Sequence, residues 1–479
     1  MSGIEDTAKK LLASAGAASL SQVWRLVVTF FTHMALRRMM PPEVMGPWFW
    51  AEPLFMILAQ VRDLGVPGHI VRDKDRAYGS FLRIQWTWGF AFAGLIFFAA
   101  PWIAEHFYED LTAPIVEIMR ALCIFLVVHG LGAVAMIYFE AELEVIKTIP
   151  AELARNAVFA IVSLTMAWQG HGVWSLVVGH ISAATVFAAM LWWAAFKEKK
   201  LGRLELRHTE SMKTLIWVSL PLMVMAILEQ LVLKLDSFVL ALSFDSEVIG
   251  AAGLAIYAVF FFSRLLADPI GRALYPALVR YADEPARSFE AYRVATVFLA
   301  SLAAPLAFFL YVNAEAAALI LGGKEWIGAA DYLRFLSLVP LIRPLTMFGL
   351  ELLLTRHMDW LLVAYTGTNL VTLGTMGWWL TQTDLGANGM AVAGYFPLGV
   401  LLLAWGIHSM SPERFGVLLR NLFQLYLVAG LVFLPIYHLV AADALVLRFV
   451  LSCLSGLMAV GYAWLRFGDE YLRFLRRET

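Results

Sequence analysis

Apolar windows of about twenty residues recur along the whole chain, centred near residues 25, 56, 90, 126, 160, 183, 227, 258, 302, 341, 369, 399, 429 and 455. Polar positions are confined to short stretches between them. Runs such as residues 299–312 (LASLAAPLAFFLYV) are apolar on every face. A lipid-spanning barrel needs ~10-residue segments of alternating polarity, which this is not. A continuous helix satisfies every backbone group within its own segment, so the windows predict about fourteen transmembrane helices.

Composition agrees with the pattern. Of 479 residues, 61% are hydrophobic and 15% charged, against ~45–50% and ~25% in soluble domains, and the mean hydropathy is +0.73. No room remains for a sizeable soluble domain. The net charge of -1, with no clustered basic surface, argues against nucleic-acid binding. Cys123 and Cys453 lie in apolar stretches, so neither a disulfide framework nor a metal site is predicted. The acidic start, Met1–Asp6, carries no sign of a cleaved signal peptide.

Basic residues sort between alternate loops. One set holds Arg72, Lys74, Arg76, Lys147, the cluster from Lys197 to Lys213, Arg272, Arg280, Arg287, Arg356, Arg414 and the arginines of the tail; the other holds Arg37, Arg38 and Lys324. The positive-inside rule then places both termini in the cytoplasm. The longest loops, near residues 197–213 and 269–292, face the same side, and the tail 466–479 reads either as an amphipathic helix on the inner leaflet or as a frayed end. Short outward loops leave little surface for a glycosyltransferase or polymerase, so the chain is read as no enzyme.

Residues 35–72 resemble residues 241–280. Ala35-Leu36 and Glu43-Val44-Met45-Gly46 answer Ala241-Leu242 and Glu247-Val248-Ile249-Gly250, and Val71-Arg72 answers Val279-Arg280, at an offset of about 204 to 208 residues. A half-length repeat separated by an even number of spans is a transporter signature. It predicts an N-lobe of helices 1–6 (residues 1–200), a C-lobe of helices 7–12 (201–410), and two further helices with a cytoplasmic tail (411–479).

Charges inside spans cost ~2.5–3.5 kcal/mol each on insertion scales, so they mark cavities or partners. Arg25 lies in the first window and Glu52 in the second; the seventh carries Glu229, Lys234 and Asp236, the eighth Arg264, Asp268 and Arg272. Arg343 stands between Pro340 and Pro344, which are expected to break the tenth helix and free carbonyls toward a cavity. Arg62-Asp63, Arg264-Asp268 and Asp268-Arg272 read as structural pairs, and Lys234 is expected to pair with Glu229 or Asp236. Arg25, Arg343, Arg264 and Lys234 form the candidate cationic cavity for an anionic substrate. Asp236, Glu229 and Glu52 are the candidates for proton or Na⁺ coupling. No metal-ligand spacing occurs, and Leu321-Gly322-Gly323-Lys324 lacks the rest of a phosphate loop. Tryptophan clusters such as Trp48-Phe49-Trp50, Trp86-Thr87-Trp88, Trp192-Trp193 and Trp378-Trp379 are expected at the membrane interfaces.

The stretch Leu36-Arg37-Arg38-Met39-Met40-Pro41-Pro42-Glu43-Val44-Met45-Gly46, then Arg62-Asp63-Leu64-Gly65-Val66, Lys234-Leu235-Asp236, Tyr275-Pro276-Ala277-Leu278 and residues 321–330 (LGGKEWIGAA) resemble the polysaccharide-export (Wzx-type) branch of the multidrug/oligosaccharidyl-lipid/polysaccharide exporter superfamily. The chain departs from it at Gly253-Leu254-Ala255-Ile256-Tyr257, where relatives often have Gly-Tyr-Tyr. The resemblance implies a flippase in the bacterial inner membrane. It would carry undecaprenyl-diphosphate-linked oligosaccharide from the cytoplasmic to the periplasmic leaflet for surface or exopolysaccharide synthesis, with membrane lipids and polysaccharide polymerase or other assembly proteins as partners. Related peptidoglycan-precursor flippases also place arginine in the first span, as Arg25 is here. The alternatives are a multidrug antiporter of the same superfamily, which would want acidic cavity residues, and a scaffold recruiting partners through its cytoplasmic loops.

Overall fold

A computed structural model describes residues 24–67, 70, 78–107, 114–141, 144–197, 212–281, 283–356, 358–441 and 444–478. All regular structure among them is helical. In chain order the helices are α1 (24–39), α2 (Pro42–Asp63), α3 (Tyr78–Phe107), α4 (Ile115–Ala141), α5 (Ile149–Trp168), α6 (Trp174–Lys197), α7 (Met212–Ala241), α8 (Ser246–Arg280), α9 (Pro285–Val312), α10 (Ala314–Leu321), α11 (Ala329–Leu336), α12 (Arg343–Thr355), α13 (Asp359–Thr381), α14 (Asn388–Ala393), α15 (Gly399–Met410), α16 (Pro412–Leu439) and α17 (Leu445–Glu478). Among the described residues, thirteen of the fourteen apolar windows fall on one of these helices or on two consecutive ones, and the first falls on α1 only from residue 24 onward. Eight described helices are long and apolar enough by themselves to cross a membrane, and α11 with α12 makes a ninth if the break is bridged. The chain is an all-α, multi-pass membrane protein.

It forms two compact units, residues 1–250 and 251–479. In the first, α5 packs on α6, α4 on α3 and α6, and α2 on α7 and α4. The Tyr78 and Tyr138 rings meet edge to face at 5.4 Å within a core that includes Phe81, Phe139 and Leu191. In the second, α9 is the central helix, packed by α12, α16 and α17. Two-thirds of its apolar window (67%) is buried against 22% for α17, so α17 turns most of its surface to lipid.

Two proline-dense segments behave as elementary chemistry demands. Pro42 opens α2 at its first turn, where the missing N–H costs nothing. Pro340 lies within a short 3₁₀ turn, Val339–Leu341, Pro344 follows in the first turn of α12, and the helices on either side of the break diverge by 44°. Two carbonyls at the break find side-chain donors instead of facing a cavity. The Tyr426 hydroxyl donates to Leu341 O at 2.5 Å, and Tyr292 donates to Leu345 O at 3.3 Å. Buried backbone acceptors must find donors, and two tyrosines supply them.

Three further expectations are revised. The loop predicted over 269–292 is largely helical, because α8 runs to Arg280 and α9 begins at Pro285. Hydropathy marks the lipid-embedded part of a helix, not its end. The tail is neither frayed nor a separate helix, since α17 continues through it to Glu478. Trp48 and Trp50 are buried inside the protein, where a lipid-facing belt needs exposed rings, while Trp86, Trp193 and Trp379 are exposed. Most of the loop 197–213 and the first 23 residues lie outside the described residues.

Candidate functional site

The motif Arg62-Asp63-Leu64-Gly65-Val66 ends α2 and is held by a buried polar cluster. The fully buried Arg62 donates through Nη2 and Nε to Asp63 Oδ1, at 2.6 and 3.0 Å, and through Nη1 to the Leu126 carbonyl on α4. Gln85 on α3 donates to the same Asp63 oxygen at 2.8 Å, and His129 Nδ1 lies 3.2 Å from Arg62 Nη2. Leu64 and Gly65 then take left-handed backbone conformations that stop the helix, with Val66 driven into the core. This is a structural ion pair, satisfied on all sides.

The second copy of the repeat does not reproduce it. Arg264 is exposed and makes no ion pair with Asp268, so the expected Arg264-Asp268 pair is absent. Its charge instead lies near Arg343, whose guanidinium stands 4.8 Å over the Phe260 ring, with Asp268 and Tyr365 also in electrostatic range. Arg343 opens α12 at the helix break and shares the second unit with Arg264.

Arg25 and Lys234 belong to the first unit. Lys234 does not pair with Glu229 or Asp236 on its own helix; its Nζ reaches Glu52 Oε2 on α2 at 3.0 Å. A lysine displaced round the helix from both acids points toward α2 instead. Asp236 accepts from the Ser237 backbone N–H at 2.8 Å, while Glu229 is exposed on the surface of α7. Glu52 also lies at a tight seam with Trp48, Phe55, Phe125 and His180. The His180 ring lies 4.4 Å from both Trp48 and Phe159.

Sequence reading missed Arg155. It projects from α5, its guanidinium 4.7 Å over the Phe187 ring, and its charge interacts with that of Arg25. Glu152, one turn earlier, also acts on it, though outside ion-pair distance. The signal was available: a charged residue inside the fifth apolar window. Among the described residues, then, Arg155, Arg264 and Arg343 lie in helices apolar enough to cross a membrane alone or as a broken pair, Arg25 is exposed at the start of α1, and none of the four has a carboxylate at ion-pair distance. Two like-charged neighbours in each unit favour an anion between or beside them.

The Leu321-Gly322-Gly323-Lys324 segment is a turn, not a phosphate loop. Gly323 has φ 95°, a left-handed value suited to glycine, and the fully buried Trp326 side chain lies against Gly322, where a Cβ would clash.

Comparison with known proteins places this arrangement. The solved structures similar to it include the lipid II flippase MurJ in an inward closed conformation (12% identity, TM-score 0.71, covering 96% of this chain and 100% of that one). They also include an inward-facing multidrug-resistance MATE family transporter of the MOP superfamily (14% identity, TM-score 0.66, 83% and 96%). A third is a MOP superfamily transporter from Pyrococcus furiosus, described by a binding pocket of reverse polarity (15% identity, TM-score 0.54, 85% and 94%). At these identities the likeness is one of fold. No curated protein sequence matches the chain significantly. A family model described as "Polysaccharide biosynthesis protein" matches residues 36–331, more than half the chain. Matched over more than half its length, the chain belongs to this polysaccharide biosynthesis protein family.

Proposed function

We propose that the protein is a flippase for polyprenyl-diphosphate-linked oligosaccharide, moving repeat units from the cytoplasmic to the periplasmic leaflet of the bacterial inner membrane. The observation that carries this reading is the pair of neighbouring arginines in each unit without a carboxylate at ion-pair distance, Arg25 and Arg155 in one and Arg264 and Arg343 in the other. Guanidinium binds phosphate and diphosphate bidentately, and an uncompensated one within the membrane favours an anionic ligand. A cationic drug would meet repulsion there. The basic bias of alternate loops supports cytoplasmic termini. Rocking of lobes, with the lipid tail left in the bilayer, would pass the polar head across. Asp236, Glu229 and Glu52 are the residues through which a proton or Na⁺ gradient would drive the cycle.

The test is translocation in proteoliposomes of a fluorescent polyprenyl-diphosphate glycan, scored by protection from an impermeant quencher. Wild-type protein is expected to translocate it, and Arg25→Ala and Arg343→Ala to lose the activity while remaining folded. Failure of the wild type, together with export of cationic dyes, would replace this reading with a multidrug antiporter.

A further inference from the structure

By the repeat, α7 and the start of α8 open the second copy, yet α7 packs on α2 of the first. Two kinds of contact hold α2 there. At the end where α2 begins and α7 gives way to α8, Gly46 lies on the Ser246 backbone and Gly250 on that of Pro42. Roughly two to three helical turns further in, Lys234 on α7 donates to Glu52 on α2 at 3.0 Å. In the orientation that the basic loops favour, both contacts lie in the outward half of this seam.

The two differ in what parting them takes. Backbone packed on glycine is held by dispersion, which weakens steeply over the first ångström of separation. The ion pair reaches further, and it runs through one carboxylate oxygen, Lys234 Nζ to Glu52 Oε2. A lysine ammonium is a point charge without arginine's planar fork, so it changes partner without realigning. A ligand can reach the pair, whose side chains are 30% and 22% exposed. Around Glu52 the seam is otherwise aromatic, with Trp48, Phe55 and Phe125, and His180 there turns its Nδ1 to the Leu176 carbonyl at 3.0 Å. Lys234 is thus the group that compensates Glu52 across the seam.

We propose that Lys234 is a ligand for the substrate diphosphate and that the Lys234–Glu52 pair is a latch the substrate opens. The assignment rests on the flippase reading and deepens it. A diphosphate beside Lys234 carries more than the single negative charge of Glu52, and Coulomb attraction grows with that charge. Once Lys234 turns to the phosphates, Glu52 is left as an uncompensated carboxylate in an aromatic seam. Parting α2 from α7 lets water reach it, and the glycine contacts separate in the same movement. The empty protein keeps the pair and stays shut on the outward side, so that side opens only when the substrate is bound.

The test is the distance between the two outer turns, measured by pulsed electron paramagnetic resonance on the full-length protein in nanodiscs. Nitroxides are placed at Glu43→Cys and Glu247→Cys, matched and exposed positions of the two copies, with Cys123→Ser and Cys453→Ser removing the native thiols. The empty protein is expected to give one short distance. Polyprenyl diphosphate should add a longer one, and polyprenol, which lacks the phosphates, should not. Without ligand, Glu52→Gln is expected to raise the longer population about tenfold. Lys234→Met should do the same and lose the response to the diphosphate, whereas Lys234→Arg keeps a pair and should stay shut when empty. A Glu52→Gln protein as closed as the wild type would overturn the proposal, and so would equal opening by polyprenol. A diphosphate that binds the wild type without changing the distance would overturn it too, while leaving the flippase reading intact. A wild-type protein that binds no polyprenyl diphosphate would overturn both. If Glu52→Gln and Lys234→Met fail to fold, the wild-type comparison of diphosphate with polyprenol decides alone.

Discussion

Gly46 rests on the backbone of Ser246, so closely that a Cβ at Gly46 would overlap the serine carbonyl, and Gly250 stands in the same relation to Pro42. The two contacts are images of one another. Gly46 and Gly250 are matched positions of the internal repeat, as are Pro42 and Ser246 at the same offset. Each glycine of one copy thus receives the first turn of the other copy's helix. Both contacts lie within residues 1–250. Because the obstacle is backbone, no rotamer change can relieve it, and Gly46→Ala and Gly250→Ala are each expected to cost roughly 1–3 kcal/mol. Thermal unfolding in detergent measures this. A Gly46→Ala variant melting with the wild type would show that the two first turns separate without cost.

Lys234 and Glu52 meet from helices 182 residues apart in sequence. Neither side chain is fully enclosed, but both lie in segments with few other charges, so removing one leaves an uncompensated ion worth up to ~2.5–3.5 kcal/mol on insertion scales. Lys234→Met and Glu52→Gln are each expected to lower stability by about 1–2 kcal/mol after discounting for exposure. The double variant should recover most of that loss. A double-mutant cycle checks it, and strictly additive losses would mean that the pair carries no coupling.

Most of the fold was legible in the sequence, because lipid makes hydrophobicity and helix nearly the same statement. The tenth-span break was legible for the same elementary reason, proline's missing donor. What escaped was pairing across helices. Local spacing put Lys234 with Glu229 or Asp236, yet its partner is on α2. It also made Arg264-Asp268 a structural pair like Arg62-Asp63. The first copy is stabilised by Leu126 O, Gln85 and His129 from α3 and α4, and the repeat motif by itself does not specify such third parties. Arg155 was legible only as a charge inside the fifth apolar window; its neighbours Phe187 and Arg25 lie on other helices.

The helix break at Pro340 and Pro344 depends on a hydroxyl. Tyr426 on α16 donates to Leu341 O, and without it a buried carbonyl is left unsatisfied at a cost of ~1–3 kcal/mol. Tyr426→Phe keeps the ring and removes only that donor. It is expected to lower thermal stability by about that amount and to raise amide exchange at residues 339–345. Unchanged exchange there would show that water replaces the hydroxyl.

Arg155 discriminates the cationic reading from one confined to the first span. Its guanidinium lies over Phe187 with no carboxylate at ion-pair distance, and its charge adds to that of Arg25. If both contact the same diphosphate, Arg155→Ala removes a charge-assisted hydrogen bond worth ~1.5–3 kcal/mol, which is roughly a tenfold to hundredfold loss of affinity. Arg155→Lys keeps the charge without the planar fork and should recover only part of it. The Arg25→Ala/Arg155→Ala pair should lose less than the sum of the single losses, because each deletion also relieves a like-charge repulsion. Binding of a polyprenyl diphosphate to purified variants, with melting temperature as the control for folding, separates these outcomes. Wild-type affinity in a folded Arg155→Ala protein would exclude α5 from the substrate path and leave Arg25 as the anion ligand of that unit.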